Sequence, residues 1–82
     1  MGIDPMQMKA MVINQMIEGL QAEDRSLRIE NAEVLGQTIG IGISVGLETK
    51  AINALRQAQK DKDGDVRKAA KKALEQIKAR KS

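Results

Sequence analysis

The feature that most constrains this chain is that it nearly repeats itself. Slid by 39 positions with no gap, the sequence sets Ile13 on Ile52, Asn14 on Asn53 and Met16 on Leu55. The same shift sets Asp24 on Asp63, Leu27 on Val66, Arg28 on Arg67, Val34 on Ala73, Leu35 on Leu74 and Gln37 on Gln76. Apolar residues land on apolar residues and a polar turn lands on a polar turn. A period of this length marks architectures in which each copy is one supersecondary unit that cannot bury its inner face alone. The two copies are therefore expected to stack.

Each copy reads as a pair of helices. The best-defined stretch is 61–77. Asp61, Asp63, Gly64 and Asp65 form a polar turn, with Asp65 placed to cap the free N–H groups of the helix that follows. Val66, Ala70, Ala73, Leu74 and Ile77 share one helical face, while Lys68, Lys71, Lys72 and Glu75 fall elsewhere. This fourth helix covers about 65–79. A third covers about 45–60, capped by Ser44, with Leu47, Ala51, Ile52, Leu55 and Ala58 inward. A second covers 27 to about 39, capped by Asp24 or Ser26, with Leu27, Val34, Leu35 and Thr38 inward. Between them stand Gly36, Gly40, Gly42 and Gly46. Each weakens a helix by roughly 1 kcal/mol relative to alanine, so the second helix ends there.

The first helix, 6–21, is unusual. Met8, Val12, Ile13, Met16 and Leu20 share a face, and Met11 and Ile17 widen it. The apolar arc spans roughly 240°, against the ~100° of a one-sided surface helix, so this helix touches something on two sides. Residues 1–5 have the character of a vector-derived leader. The remainder, 6–82, forms one two-repeat domain, with repeat one at about 6–43 and repeat two at about 44–82. The expected fold class is all-α: an α-α superhelix of two helical hairpins and four helices.

Asp63, Val66, Arg67, Ala70, Ala73, Leu74 and Ile77 are spaced as in a HEAT-like repeat, and the segment resembles the short type named after phycobilisome lyases. The first copy matches through Asp24, Leu27, Arg28 and Leu35, and departs where Asn31 stands in place of Ala70. The resemblance covers about 8–79. It implies that Asp24, Arg28, Asp63 and Arg67 form a structural polar ladder between neighbouring units. By the family name alone, it also raises an accessory role for a phycobilin lyase.

Composition removes much of the chemistry. Without cysteine or histidine there is no disulfide, no thiolate and no usual zinc site, which fits a cytoplasmic protein. Ser26, Ser44, Ser82, Thr38 and Thr49 have no imidazole base to activate them, so the chain is expected not to be an enzyme and to hold no cofactor or metal. Asp61-Lys62-Asp63-Gly64-Asp65 resembles the opening of a calcium loop, but Val66 occupies the glycine position and Lys72 stands where a bidentate carboxylate belongs. Gly40, Gly42 and Gly46 match neither a dinucleotide nor a P-loop pattern. No apolar run approaches the ~20 residues of a membrane span.

The charge is uneven. Residues 1–41 carry three bases and six acids, and residues 42–82 carry eleven bases and five acids, giving −3 and +6, which sum to the net +3. Lys68, Lys71 and Lys72 cluster on the fourth helix and form a candidate surface for a nucleic-acid backbone, although no aromatic residue is present to stack on a base. The leading expectation is a non-catalytic protein–protein contact or scaffold module. It self-associates through the first helix, with Met11 and Ile17 buried between chains and Ile29 joining them. The same apolar start also fits a section of a longer solenoid.

Overall fold

The structure, a computed structural model, describes residues 2, 4–40 and 42–81. The chain is all-α. Its four helices are α1 (Pro5–Gly19), α2 (Arg25–Thr38), α3 (Val45–Ala58) and α4 (Gly64–Lys81), and no strand occurs among the described residues. The sequence period is also a spatial one: α2 and α4 begin 39 residues apart, at Arg25 and Gly64, and α1 and α3 end 39 apart, at Gly19 and Ala58.

Side-chain caps set three of the starts. Asp24 Oδ1 accepts from Ser26 N at 2.8 Å, and Ser44 Oγ accepts from Leu47 N at 3.3 Å. At α4 the cap is Asp63, not Asp65: Asp63 Oδ1 accepts from Asp65 N at 2.8 Å and Val66 N at 3.2 Å. The helix starts at Gly64, so Asp63 stands just in front of it, as its counterpart Asp24 does before α2.

The helices form two layers. The seam between α2 and α4 is the most extensive, α1 packs on α2, α3 packs on α4, and α1 meets α3. The backbone measures 43 × 31 × 16 Å. The short dimension is that of two helices about 10 Å apart. Ile13, Leu35, Ile39, Leu55, Val66 and Ile77 are fully buried, with Ala32, Ala51, Ala70 and Ala73 between them. Aromatic side chains carry the largest apolar payload. A core without them gains its density from close helix approach instead.

Two glycines permit that approach. A Cβ on Gly36 would lie 2.7 Å from Ala73 Cα, so α2 and α4 meet backbone against backbone. A Cβ on Gly19 would lie 2.5 Å from Asn31 Cγ. The second copy has alanine at both equivalent positions, Ala58 and Ala70, both buried. The first hairpin thus closes on a glycine and an asparagine where the second closes on two alanines. The Asn31 amide is satisfied by donating to Leu27 O at 2.7 Å.

Two further expectations change. Leu27, expected inward, is 46% exposed, because the buried line of α2 is Arg28, Ala32, Leu35 and Gly36. The α4 helix also runs on to Lys81, where its basic end has partners. Arg80 Nη1 donates to Ile39 O at 2.8 Å and also to Gly36 O, satisfying carbonyls at the C-terminal end of α2. Lys81 pairs with Glu48 in the first turn of α3. The last turn of α4 thereby ties the ends of α2 and α3 together.

Candidate functional site

Two sets of side chains stand out, one joining the two units and one left open. The first is a polar ladder along the turns. Arg28 is only 7% exposed. Its Nη1 donates to Ala22 O at 2.7 Å and Glu23 O at 2.8 Å. Its Nε lies 3.1 Å from Asp61 Oδ2 without hydrogen-bond alignment, so that contact is an ion pair. Arg67 repeats half of this, donating to Asp61 O at 2.6 Å, again six residues back. Arg25 bridges the units directly. Its Nε donates to Asp63 Oδ2 at 2.5 Å, and its Nη2 to Asp65 Oδ2 at 2.6 Å.

The resemblance to HEAT-like repeats points to Asp24, Arg28, Asp63 and Arg67. In space these four have different tasks. Asp24 and Asp63 cap their own helices, and Arg67 stays within its own turn. Only Arg28 and Asp63 cross between units, and their partners are Asp61 and Arg25. A sequence signal for Arg25 and Asp61 existed: in the 39-residue shift Arg25 falls on Gly64 and Ala22 on Asp61.

Within the ladder, the Arg25–Asp63 pair shifts both of its groups. The hydrogen bond from Arg25 holds the Asp63 carboxyl at about 2, below its ordinary 3.8; the backbone N–H groups of Val66 and Asp65 and the guanidinium charge act in the same direction, and partial desolvation opposes them. Arg25 is raised in turn, first by its bond to Asp63. Asp61, Asp63 and Asp65 are thus taken up by protein donors, and among the described residues no group of three carboxylates is placed to hold a metal ion.

The open set lies on α1. Met8, Met11 and Val12 are exposed, Met11 at 51%, and Leu27, in the first turn of α2, is exposed as well. Their counterparts 39 residues on are Leu47, Lys50, Ala51 and Val66. Ala51 and Val66 are fully buried, and Leu47 packs partly buried against the core. Lys50 Nζ reaches Asn14 Oδ1 of α1 at 2.8 Å. These positions are covered or bonded in the second copy, which has a unit in front of it. They are open in the first copy.

The other expected contact residues lie elsewhere. Ile17 is 9% exposed and belongs to the chain's own core, lining a cleft with Ala54 and Ala58, so it cannot be buried between chains as expected. The wide apolar arc of α1 divides: Ile13, Ile17 and Leu20 serve the internal core, while Met8, Met11 and Val12 face away from it. Ile29 is half-buried against the core in the groove between α2 and α4, apart from Met11. Lys68, Lys71 and Lys72 line that same groove, but Glu33 and Glu75 stand among them and break up the positive potential that a phosphate backbone needs.

Among the described residues, no helix is long and apolar enough to cross a membrane. Comparison with protein-family models, with curated proteins and with solved structures gives no match to this chain.

Proposed function

We propose that this chain is a non-catalytic protein–protein contact module, a HEAT-like α-α superhelical scaffold element of the cytoplasm. It associates with a second copy of itself through the outer face of α1. The observation that carries this is the open set Met8, Met11, Val12 and Leu27, whose counterparts in the second copy are covered or bonded. Removing apolar surface from water is worth about 25 cal/mol per Å², so exposed apolar side chains at positions that the second copy uses for packing favour a partner. Methionine suits such a face, because its unbranched thioether adapts to whatever it meets.

Sedimentation velocity on the chain and on Met11→Lys tests the proposal. The chain is expected to sediment above its 9.0 kDa monomer mass, and the variant at it. Met11 is the residue to change, since a charge at Ile17 would disrupt the core of the monomer itself. A native chain that stays at monomer mass at every concentration would contradict the proposal.

A further inference from the structure

We infer that the depression formed by α3 and α4 at the trailing end of the stack is a docking site for an acidic peptide segment that brings an apolar side chain with it. This is a second surface, and it does not depend on the self-association proposed above. What identifies the occupant is an apolar floor inside a rim of a single charge sign.

The floor comes from the repeat. Ile52 of α3 and Leu74 of α4 are half-buried, and Ile77 lies deeper at 2% exposure. In the 39-residue shift Ile52 falls on Ile13 and Leu74 on Leu35, both fully buried within the stack. The second unit keeps this packing pair but leaves it partly uncovered. The depression holds about 320 Å³. Ligand clefts begin at about 300 Å³, so this one suits a side chain or two from a larger partner.

The rim departs from the repeat. Arg56, Gln59 and Lys78 stand there exposed, at positions where the first unit buries Ile17, Leu20 and Ile39. Lys81 completes it and is paired with Glu48. Arg56 joins none of the ion pairs among the described residues. No carboxylate lines the depression among the described residues. The groove between α2 and α4 is different, since Glu33 and Glu75 stand among its lysines.

An aspartate or glutamate beside Arg56 would gain a forked, charge-assisted pair with the guanidinium. An aliphatic neighbour on the same segment would cover Ile52 and Leu74 and remove them from water. A nucleic-acid backbone would meet the cations but leave the aliphatic floor uncovered, and the chain has no aromatic residue to hold a base. An acidic and apolar segment is the occupant that answers both the floor and the rim.

Selection from a random-peptide display library on the chain, on Arg56→Glu and on Met11→Lys tests the inference. Arg56 is exposed, so its substitution leaves the core intact, and circular dichroism verifies this. The chain is expected to enrich peptides that combine aspartate or glutamate with leucine, isoleucine or valine. A selected peptide, made synthetically, should lose at least about tenfold in affinity on Arg56→Glu and nothing on Met11→Lys. Its binding should move the ¹⁵N NMR signals of Ile52, Arg56 and Leu74. No enrichment, selected peptides without acids, an affinity indifferent to Arg56→Glu, a loss on Met11→Lys or shifts confined to α1 would each overturn the inference. Tighter binding of an oligodeoxythymidine would overturn it in favour of a phosphate backbone. A fall in the chain's own sedimenting mass on Arg56→Glu would overturn it in favour of a second copy of the chain.

Discussion

The two ends of this molecule differ more than its two halves do. The halves share the starts and aspartate caps of α2 and α4 and an arginine that reaches back six residues, at Arg28 and Arg67. At the ends the pattern diverges. The leading end exposes Met8, Val12 and Leu27 where the second unit partly buries Leu47 and fully buries Ala51 and Val66, and the trailing end replaces Ile17, Leu20, Ala32 and Ile39 with Arg56, Gln59, Lys71 and Lys78. A stack of repeats has two surfaces that resemble its interior, and each is either made polar or covered. Here the trailing end is the more polar of the two, although Ile52, Leu74 and Ile77 line a depression on it.

Paired substitutions at equivalent positions break or sharpen the comparison. The largest difference is expected at the seam. Gly36→Val should destabilise by about 1–3 kcal/mol or more in urea unfolding, because its side chain would be driven into the Ala73 backbone. Glu75→Val, its counterpart, should stay within about 0.5 kcal/mol, as an exposed substitution does. Equal effects would mean that the two units do not meet as described.

The ladder comes next. Arg28→Met removes two hydrogen bonds from a buried guanidinium and leaves Asp61 without its ion pair, for an expected loss of about 2–3 kcal/mol. Arg67→Met removes one bond at an exposed site and should cost under about 1 kcal/mol. Smaller again is the truncation of the apolar pair. Val66→Ala should lose about 1–2 kcal/mol at any protein concentration. On the proposed self-association, Leu27→Ala should lose less in dilute solution and progressively more as concentration rises.

The smallest effect is a pH dependence. Asp63 has a lowered pKa in the folded chain, so its ion pair with Arg25 contributes stability that is complete above the ordinary 3.8. That contribution is lost as pH falls through about 2. Thermal melts of Asp63→Asn should therefore show a shallower fall than the parent chain between about pH 4 and pH 2. Identical acid limbs would place Arg25 and Asp63 apart in solution.

Much of the fold was legible because period and apolar spacing are properties of the chain itself. The 39-residue shift and the cap residues placed four helices to within a few residues. What periodicity could not supply was the rotation of each helix about its own axis. Leu27 and Ala32 both fit an apolar stripe on α2, and only the neighbouring α4 decides between them. The same limit misplaced Ile17: a 240° arc announces two contacts without saying which residue serves which. Ladder partners were legible only in part, because Arg25 and Asp61 break the repeat, and a search for likeness passes over such positions. Nothing in the periodicity pointed to the basic end of α4, where Arg80 and Lys81 bind the ends of α2 and α3.

The central claim, that the chain associates through its leading end, is tested most directly by dilution of the ¹⁵N-labelled chain followed by NMR. Concentration-dependent shifts are expected around Met8, Met11, Val12 and Leu27, with none around Lys68, Lys71 and Glu75. Shifts that gather on α4, or a spectrum that does not change with concentration, would contradict it.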